Sequence, residues 1–212
     1  MPSRGHLLLA LILSVFAGGA GILVARHTAP PNASSVEGLL WPNPRALNAF
    51  SVVDQDGQPF THENLRGRWS LLFFGFTHCP DICPVTLSML AQAKSGLATA
   101  ARETPLQVIF VSVDPERDVP AQLAEYVRYF DPDFLGLGGT LDQIRALTSQ
   151  LGVAFFHGEV TPAGDYSVDH SAAIFVIDPQ TRMVGVISAP HQPESLVMRF
   201  QKMADFLRRA GT

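Results

Sequence analysis

Residues 69–84 of the chain read WSLLFFGFTHCPDICP and decide the fold, because an unbroken apolar run passes directly into a turn that holds two cysteines. The run from Trp69 to Phe76 contains no charged residue. Runs of this kind are typical of a β-strand that is covered on both faces. We therefore predict a buried strand here, with the cysteine-containing turn at its carboxyl end.

Further strands and helices are predicted on both sides of this strand along the chain. Buried strands are expected at residues 106–113 and 172–177, each followed by an Asp-Pro pair, with a hairpin partner at 183–187 and a strand and turn at 50–57. Apolar residues at helical spacing predict helices over residues 85–99, 120–130, 141–151 and 193–209. Because strands alternate with helices, the predicted fold class is α/β, a central β-sheet flanked by helices.

The composition excludes several classes of protein. The chain has 212 residues, of which 47% are hydrophobic and only 16% are charged. This is enough to bury a core without disulfide bonds, and it argues against disorder. The 15 Lys and Arg residues against 19 Asp and Glu give a formal net charge of −4, with no basic block. Because phosphates select for clustered cations, no nucleic-acid partner is expected.

The N-terminal segment has the pattern of a membrane anchor. Residues 7–25 carry no charge and are bounded by Arg4 and Arg26. About 20 apolar residues span a bilayer as a helix, whereas the core of a cleavable signal peptide has roughly 7–15. We therefore predict that residues 1–26 form a transmembrane helix, with a signal peptide as the alternative. The short N-terminal flank favours an orientation in which the rest of the chain faces outside.

Beyond the anchor, the composition separates a tether from a domain. Residues 27–44 are rich in Pro, Ser, Asn and Ala and predict a flexible tether. Residues 45–212 contain no repeat at solenoid spacing and predict a single domain. Without Arg4 and Arg26, the exported part carries a net charge of about −6. The absence of an Arg-rich transit peptide favours a bacterial inner membrane, with the domain in the periplasm.

The candidate chemistry lies in the turn after the first buried strand, because ligands of open α/β sheets bind at the carboxyl ends of strands. Cys79 and Cys83 are the two cysteines of the chain. Pro84 suits the first position of a helix, which would make Cys83 the N-cap residue. Since a helix N-terminus stabilises a thiolate, we expect a lowered pKa for Cys83.

Two cysteines with three residues between them are compatible with three roles. A structural disulfide would close a very small loop and remove little chain entropy. Dithiol oxidoreductases typically have two residues between their cysteines, one fewer than in this chain. A metal site needs more than two thiols, although cuprous copper favours thiolate and accepts a low coordination number. A third ligand would therefore favour the metal site.

His170 is the histidine whose position favours such a role. It stands directly before the buried strand at 172–177, and a strand beside the first one would carry this segment towards the cysteines. The other histidines are assigned elsewhere: His6 to the membrane flank, His27 to the tether, and His62, His157 and His191 to loops or exposed turns. His78 is adjacent to Cys79 in sequence, and the side chains of adjacent residues usually point in different directions. From the residues alone, the disulfide, the dithiol pair and the metal site all remain open.

Three motifs, in this order and spacing, resemble those of the SCO/SenC family. They are Phe74–Pro84, Val111–Asp118 followed by Tyr126 and Phe130, and Val168–Ser171. The resemblance covers residues 45–209 and includes the anchor and tether. It implies a thioredoxin-like fold and a copper site in which Cys79, Cys83 and His170 are the ligands of Cu(I), with Cu(II) also bound.

The resemblance also implies a role in the assembly of cytochrome c oxidase. Copper from an upstream periplasmic donor would be delivered to the CuA centre of subunit II. The alternative is a thiol–disulfide oxidoreductase that reduces the CuA-site cysteines of the partner, with Cys79 and Cys83 as the redox pair. Delivery needs no catalytic turnover, so the sequence leaves open whether the protein is an enzyme. A thiol peroxidase is a third possibility, weakened because no peroxidatic motif accompanies Cys79.

Other polar residues near these motifs have two interpretations each. Asp81 is either an additional oxygen ligand or partner contact, or an exposed residue that shapes the turn. Asp169 either accepts a hydrogen bond from His170 or points away from it. The Asp114–Asp118 segment either docks a partner or caps a solvated helix.

Overall fold

The computed structural model of the chain describes residues 40–161 and 166–211. Within these ranges the chain forms ten β-strands, four α-helices and a short 3₁₀ helix, His62–Leu65. The strands are β1 (Leu40–Ala46), β2 (Ser51–Asp54), β3 (Pro59–Thr61), β4 (Trp69–Gly75), β5 (Leu106–Ser112), β6 (Leu135–Gly138), β7 (Phe155–His157), β8 (Val168–His170), β9 (Ile174–Ile177) and β10 (Arg182–Ile187). The helices are α1 (Ile82–Ala101), α2 (Pro120–Phe130), α3 (Leu141–Leu151) and α4 (Pro193–Ala210).

Eight of the described strands form one mixed sheet, in the order β1-β10-β9-β4-β5-β6-β2-β3, and β7 and β8 form a separate two-stranded ribbon. β4 lies in the middle of the sheet. It is parallel to β5, with Gly75 opposite Ser112 at the carboxyl ends of both strands. It is antiparallel to β9, with Phe73 opposite Ile174. The last residues of β4 therefore lie beside the first residues of β9.

All seven residues of β4 are buried, because its side chains alternate between two cores. Trp69, Leu71 and Phe73 pack with buried residues of α1, α2 and α4 on one face of the sheet. Leu72 and Phe74 pack with buried residues of α3 on the other face. Helices therefore cover both faces, which confirms the predicted α/β class and the two-sided burial of the first strand.

The helix bounds follow from the local sequence. α2 begins at Pro120, and Pro suits a first helical turn because its missing N–H has no partner there in any case. α3 begins after Thr140 and ends at Gly152, which adopts a left-handed conformation with a φ of 70°. The bounds predicted for α2 and α3 are confirmed. α1 extends three residues before and two residues beyond the predicted range of 85–99.

The beginning of the domain differs from the prediction. Residues 40–44, predicted as the end of the tether, lie in β1, which pairs antiparallel with β10 at the edge of the sheet. Leu40 stands opposite Gly185 in this pairing. The segment was not predicted as a strand because Pro42 and Pro44 interrupt the strand-like alternation. An edge strand tolerates proline because the N–H groups on one side of its backbone need no partner in the sheet.

The predicted anchor, residues 1–26, and most of the predicted tether lie outside the described residues. Within residues 40–161 and 166–211, none of the helices is long and apolar enough to cross a bilayer.

Candidate metal centre

The antiparallel pairing of β4 and β9 brings the cysteines and His170 to the same end of the sheet. The chain leaves β4 at Gly75 and turns through Cys79 into α1. The segment that enters β9 arrives at this same end, because β9 runs in the opposite direction. His170 is the last residue of β8, and three residues separate it from the start of β9. The prediction that a neighbouring strand carries His170 towards the cysteines is confirmed.

The donor atoms of the three side chains form a close cluster. The Sγ atom of Cys83 lies 3.4 Å from Nε2 of His170. The two sulfurs and the imidazole nitrogen all lie within 4.8 Å of one another. Both cysteines are free thiols, Cys83 fully buried and Cys79 half-buried. In the part of the chain that the structure describes, this is the one group of three such side chains that is spaced to hold a metal ion.

The spacing and chemistry of these donors fit a single soft metal ion. Donors bound to a common ion at about 2.0–2.3 Å lie no more than about 4.6 Å apart. The observed cluster is within a few tenths of an ångström of that limit. Thiolate and imidazole are ligands that copper and zinc prefer, whereas magnesium and calcium prefer oxygen.

The start of α1 differs from the prediction. Asp81, not Cys83, is the N-cap residue, so Cys83 and Pro84 lie inside the first turn of the helix. Proline is tolerated there because the first N–H groups of a helix have no intrahelical acceptor. The prediction that Cys83 is the N-cap residue is therefore wrong, although Cys83 still lies near the positive end of the helix dipole.

The predicted lowering of the pKa of Cys83 is also wrong. Burial raises the pKa of this thiol, and a hydrogen bond to the Phe76 backbone offsets only part of the effect. The side chain is 0% exposed. Desolvation of the thiolate therefore outweighs the helix terminus. The metal-free protein keeps Cys83 protonated at neutral pH, and a metal ion must displace this proton to bind.

Gly75 provides the space that the Cys83 sulfur occupies. A Cβ atom at this position would lie 2.5 Å from Sγ of Cys83 and 2.8 Å from Cε2 of Phe110. Contacts this short are not tolerated between non-bonded atoms. The glycine at the end of β4 is therefore required by the close approach of the thiol.

The local contacts of His170 hold it in a form that can bind a metal. Nδ1 lies 3.1 Å from the carbonyl oxygen of Ser171. Because a carbonyl oxygen only accepts, Nδ1 donates and the lone pair is on Nε2, the atom that faces Cys83. The ring lies edge-on to Phe73 and Phe76, with centroids 6.2 and 5.9 Å away. Burial lowers the pKa of His170 and so favours the neutral imidazole.

The remaining candidates lie outside the donor cluster. Asp81 is exposed and its side chain makes no capping hydrogen bond, as the exposed-turn interpretation predicts. Asp169 is exposed, and the Nδ1 proton of His170 goes to Ser171 instead. His62 and His191, assigned to exposed turns, are both half-buried, and Nε2 of His191 donates to the carbonyl of Ala172 at 2.7 Å.

The segment from Asp114 to Asp118 contains groups that the sequence-based interpretations missed. Asp114 is 0% exposed and Asp118 is 3% exposed, so neither carboxylate is placed to dock a partner. Neither caps α2, whose N-cap residue is Val119. Asp118 instead accepts hydrogen bonds from the backbone and hydroxyl of Thr77 and from the hydroxyl of Ser112. The Asp-Pro pattern marked the turn, but burial of a carboxylate depends on neighbours that are distant in sequence.

The fold and the donor cluster define a metal-binding α/β domain with a Cys-Cys-His site at the carboxyl end of the central strand. A profile of the SCO1/SenC family matches residues 42–205. The chain therefore belongs to the SCO1/SenC family, and the resemblance in its motifs is confirmed.

Curated relatives and solved structures agree with this assignment. A putative copper-binding protein of Stutzerimonas stutzeri is 43% identical over 158 residues, which cover 74% of this chain and 76% of the relative. Yeast mitochondrial SCO2 is 40% identical over 147 residues, 69% of this chain and 48% of the relative. The chain thus spans about half the length of that mitochondrial protein.

Among solved structures, Arabidopsis thaliana ScoI with copper bound is 36% identical, with a TM-score of 0.69 over 74% of this chain and 97% of that one. Yeast Sco1 with copper bound is 34% identical, with a TM-score of 0.68 over 78% of this chain and 90% of that one. These likenesses confirm the predicted thioredoxin-like fold.

Proposed function

We propose that this protein is a copper chaperone that binds Cu(I) or Cu(II) through Cys79, Cys83 and His170. The observation that carries the proposal is the convergence of two free thiols and one neutral imidazole within 4.8 Å. Copper-bound structures of homologous proteins support copper as the ion. Soft thiolate ligands and a low coordination number suit the cuprous state in particular.

Copper is the cargo in this proposal, and ligand exchange is the transfer step. Two thiolates and an imidazole bind Cu(I) and leave it open to a further ligand. Cys83 is buried and Cys79 is half-buried, so an acceptor thiolate reaches the copper from the Cys79 side. A bond from the acceptor sulfur forms as the bond to a donor ligand breaks, and the oxidation state of copper does not change. The vacated thiolates then regain their protons.

The proposed acceptor is the CuA centre of cytochrome c oxidase subunit II, and the proposed source is an upstream periplasmic copper donor. Membership of the SCO1/SenC family supports this assignment. We also propose that residues 1–26 anchor the chain in a bacterial inner membrane with the domain in the periplasm. Alkaline carbonate extraction of membranes tests the anchor: the full chain should stay in the membrane fraction and a chain without residues 1–26 should not.

A thiol–disulfide oxidoreductase is the second candidate function. It is favoured by the two free thiols, whose sulfurs lie within 4.8 Å of each other and so are close enough to form a disulfide after small movements. It is disfavoured by the raised pKa of Cys83, because a buried protonated thiol attacks a disulfide slowly. The rate at which the protein reduces a disulfide substrate, with a dithiol as the source of electrons, measures this activity directly.

The chaperone proposal is tested by titrating the reduced protein with Cu(I) against a chromophoric chelator. We expect one equivalent of tightly bound copper. Binding should be at least tenfold weaker in His170→Ala, because loss of a group that only supports a ligand already costs roughly 10–100-fold. His62→Ala is the matched control, since His62 lies in the 3₁₀ helix and outside the donor cluster. Wild-type affinity in His170→Ala would remove His170 from the site.

Transfer is tested by mixing the copper-loaded protein with a metal-free CuA domain of subunit II. Copper found in the CuA domain after the two proteins are separated, and absent there with His170→Ala, supports delivery. Rapid reduction of disulfides by the metal-free protein, together with no transfer of copper, would overturn the chaperone in favour of the oxidoreductase.

A further inference from the structure

The segment between β5 and α2 lies between the two parts of the chain that carry the candidate ligands. We define the cysteine arm as residues 76–83 and the histidine arm as residues 166–170. Each arm contacts a different buried carboxylate of the segment, Asp118 and Asp114 respectively. The two carboxylates are four residues apart, and the Asp118 N–H donates to the Asp114 carbonyl at 3.0 Å.

Asp118 holds the beginning of the cysteine arm. Its carboxylate accepts the Thr77 N–H at 2.9 Å and the Thr77 hydroxyl at 2.6 Å. The Ser112 hydroxyl, at the end of β5, donates to the same carboxylate at 2.6 Å. Because Ser112 stands opposite Gly75 in the sheet, Asp118 fixes Thr77 relative to the strand that precedes it.

Asp114 holds the histidine arm. The Tyr166 hydroxyl donates to Oδ1 of Asp114 at 2.6 Å. Oδ2 accepts from Nε of Arg117 at 2.5 Å. The Arg117 guanidinium lies 3.8 Å from the ring centroid of Tyr166 and 5.5 Å from that of Phe76. One arginine therefore contacts both arms as well as the carboxylate between them.

Because Asp114 and Asp118 are buried, their carboxylates depend on these contacts. A carboxylate that is removed from water is stable only with charged or hydrogen-bonding partners in good geometry. Both carboxylates are almost completely buried and have such partners. Burial and the hydrogen bond to Asp114 raise the pKa of Tyr166 to about 12, so its hydroxyl remains a donor over the ordinary pH range.

We propose that Asp114 and Asp118 are positioning residues of the metal site, and that each fixes one ligand-bearing arm at the separation needed to bind one ion. Asp118 acts on the cysteines through Thr77, and Asp114 acts on His170 through Tyr166. This inference rests on the proposed copper site. It adds that the affinity of the site depends on two carboxylates that do not contact the metal.

The histidine arm is tested with Tyr166→Phe, which removes the hydrogen bond to Asp114 and keeps the ring beneath Arg117. Loss of a group hydrogen-bonded directly to a ligand typically costs roughly 10–100-fold in metal affinity. Tyr166 acts on His170 only through the backbone, so we expect a smaller, severalfold loss of Cu(I) affinity. The electron paramagnetic resonance spectrum of the Cu(II) form should show altered nitrogen coupling. Tyr129→Phe is the control, because Tyr129 is 83% exposed.

The cysteine arm is tested with Thr77→Val and Asp118→Asn. In the metal-free protein, the rates at which Cys79 and Cys83 react with an alkylating reagent or form a disulfide should change at least severalfold. Tyr166→Phe should leave these rates unchanged. Thr77→Val keeps the carboxylate and the backbone hydrogen bond, so it remains informative if Asp118→Asn does not fold. Asp133→Asn, at the exposed ion pair with Lys94, is the carboxylate control.

The outcomes separate this inference from the proposed function. Arm-specific changes in affinity, spectrum and thiol reactivity support the positioning role. Lower melting temperatures with wild-type affinity and spectra would overturn it, because the network would then contribute only to stability. If the wild-type protein binds no copper, the proposed function fails, but the thiol reactivity of Thr77→Val still decides whether Asp118 positions the cysteines.

Discussion

Gly75 and Cys83 illustrate how single residues set the geometry of this site. The absent side chain at Gly75 leaves room for a buried sulfur, and the burial of that sulfur determines its protonation. A thiol in water near a helix terminus would ionise more easily than usual. In this protein, desolvation outweighs the stabilisation of the thiolate by the helix terminus, and it raises the pKa of Cys83.

Gly75→Ala is expected to destabilise the protein by about 1–3 kcal/mol, because the added methyl group overpacks the core between Cys83 and Phe110. For a domain of this size each 1 kcal/mol lowers the melting temperature by about 2–4 °C. The variant should also bind Cu(I) more weakly, since Sγ of Cys83 must move. Thermal unfolding followed by circular dichroism and a Cu(I) competition titration measure the two effects.

The control is the same substitution in a Cys83→Ala background. Removal of Sγ relieves one of the two short contacts, so the stability loss caused by Gly75→Ala should be smaller there. An equal loss in both backgrounds would contradict the assignment of the space at Gly75 to the sulfur.

At the scale of elements, α3 is the helix on the sheet face opposite α1. It begins with a capping box in which the Thr140 hydroxyl accepts the Gln143 N–H at 3.3 Å. The Gln143 side chain accepts the Thr140 N–H at 2.8 Å in return. These bonds satisfy N–H groups that the helix itself leaves without partners.

Thr140→Ala is expected to lower the free energy of unfolding by about 1 kcal/mol, because the hydroxyl of the cap is lost. Copper affinity should remain at the wild-type value, since α3 contributes no residue to the donor cluster. Chemical denaturation measures the first effect and chelator competition the second. Thr99→Ala is the matched control: Thr99 is exposed inside α1, and alanine there should be neutral or slightly stabilising. A copper-affinity loss in Thr140→Ala would contradict this separation of the helix from the site.

At the scale of the whole molecule, the candidate ligands connect distant parts of the chain. Cys83 and His170 are 87 residues apart in sequence and meet only in the folded domain. An ion bound by both therefore stabilises the native state relative to the unfolded chain.

Copper is accordingly expected to raise the melting temperature of the reduced protein. Free ligand at 100 times its dissociation constant adds about 2.7 kcal/mol to the free energy of unfolding. For a domain of this size, this raises the melting temperature by roughly 5–10 °C. Differential scanning calorimetry with and without Cu(I) measures the shift. Protein oxidised to a Cys79–Cys83 disulfide should show a much smaller shift, and an equal shift in that form would place the stabilising ion elsewhere.

The sequence predicted the elements whose pattern is local. The uncharged run from Trp69 to Phe76 marked the central strand, and apolar spacing gave the bounds of α2 and α3. β1 was not predicted because its prolines interrupt the strand-like pattern. Its stability comes from pairing with β10, which is distant in sequence. The short strands β7 and β8 depend in the same way on pairing with each other.

By itself, the sequence determined the α/β class, the turn that holds Cys79 and Cys83, and the candidacy of His170 as a third ligand, because these depend on residue type and order. Only the tertiary structure decided the start of α1 at Ile82, the raised pKa of Cys83 and the burial of Asp114 and Asp118. The physical reason is that burial and hydrogen bonding are set by neighbours far away in sequence, and both outweigh local preference once water is excluded.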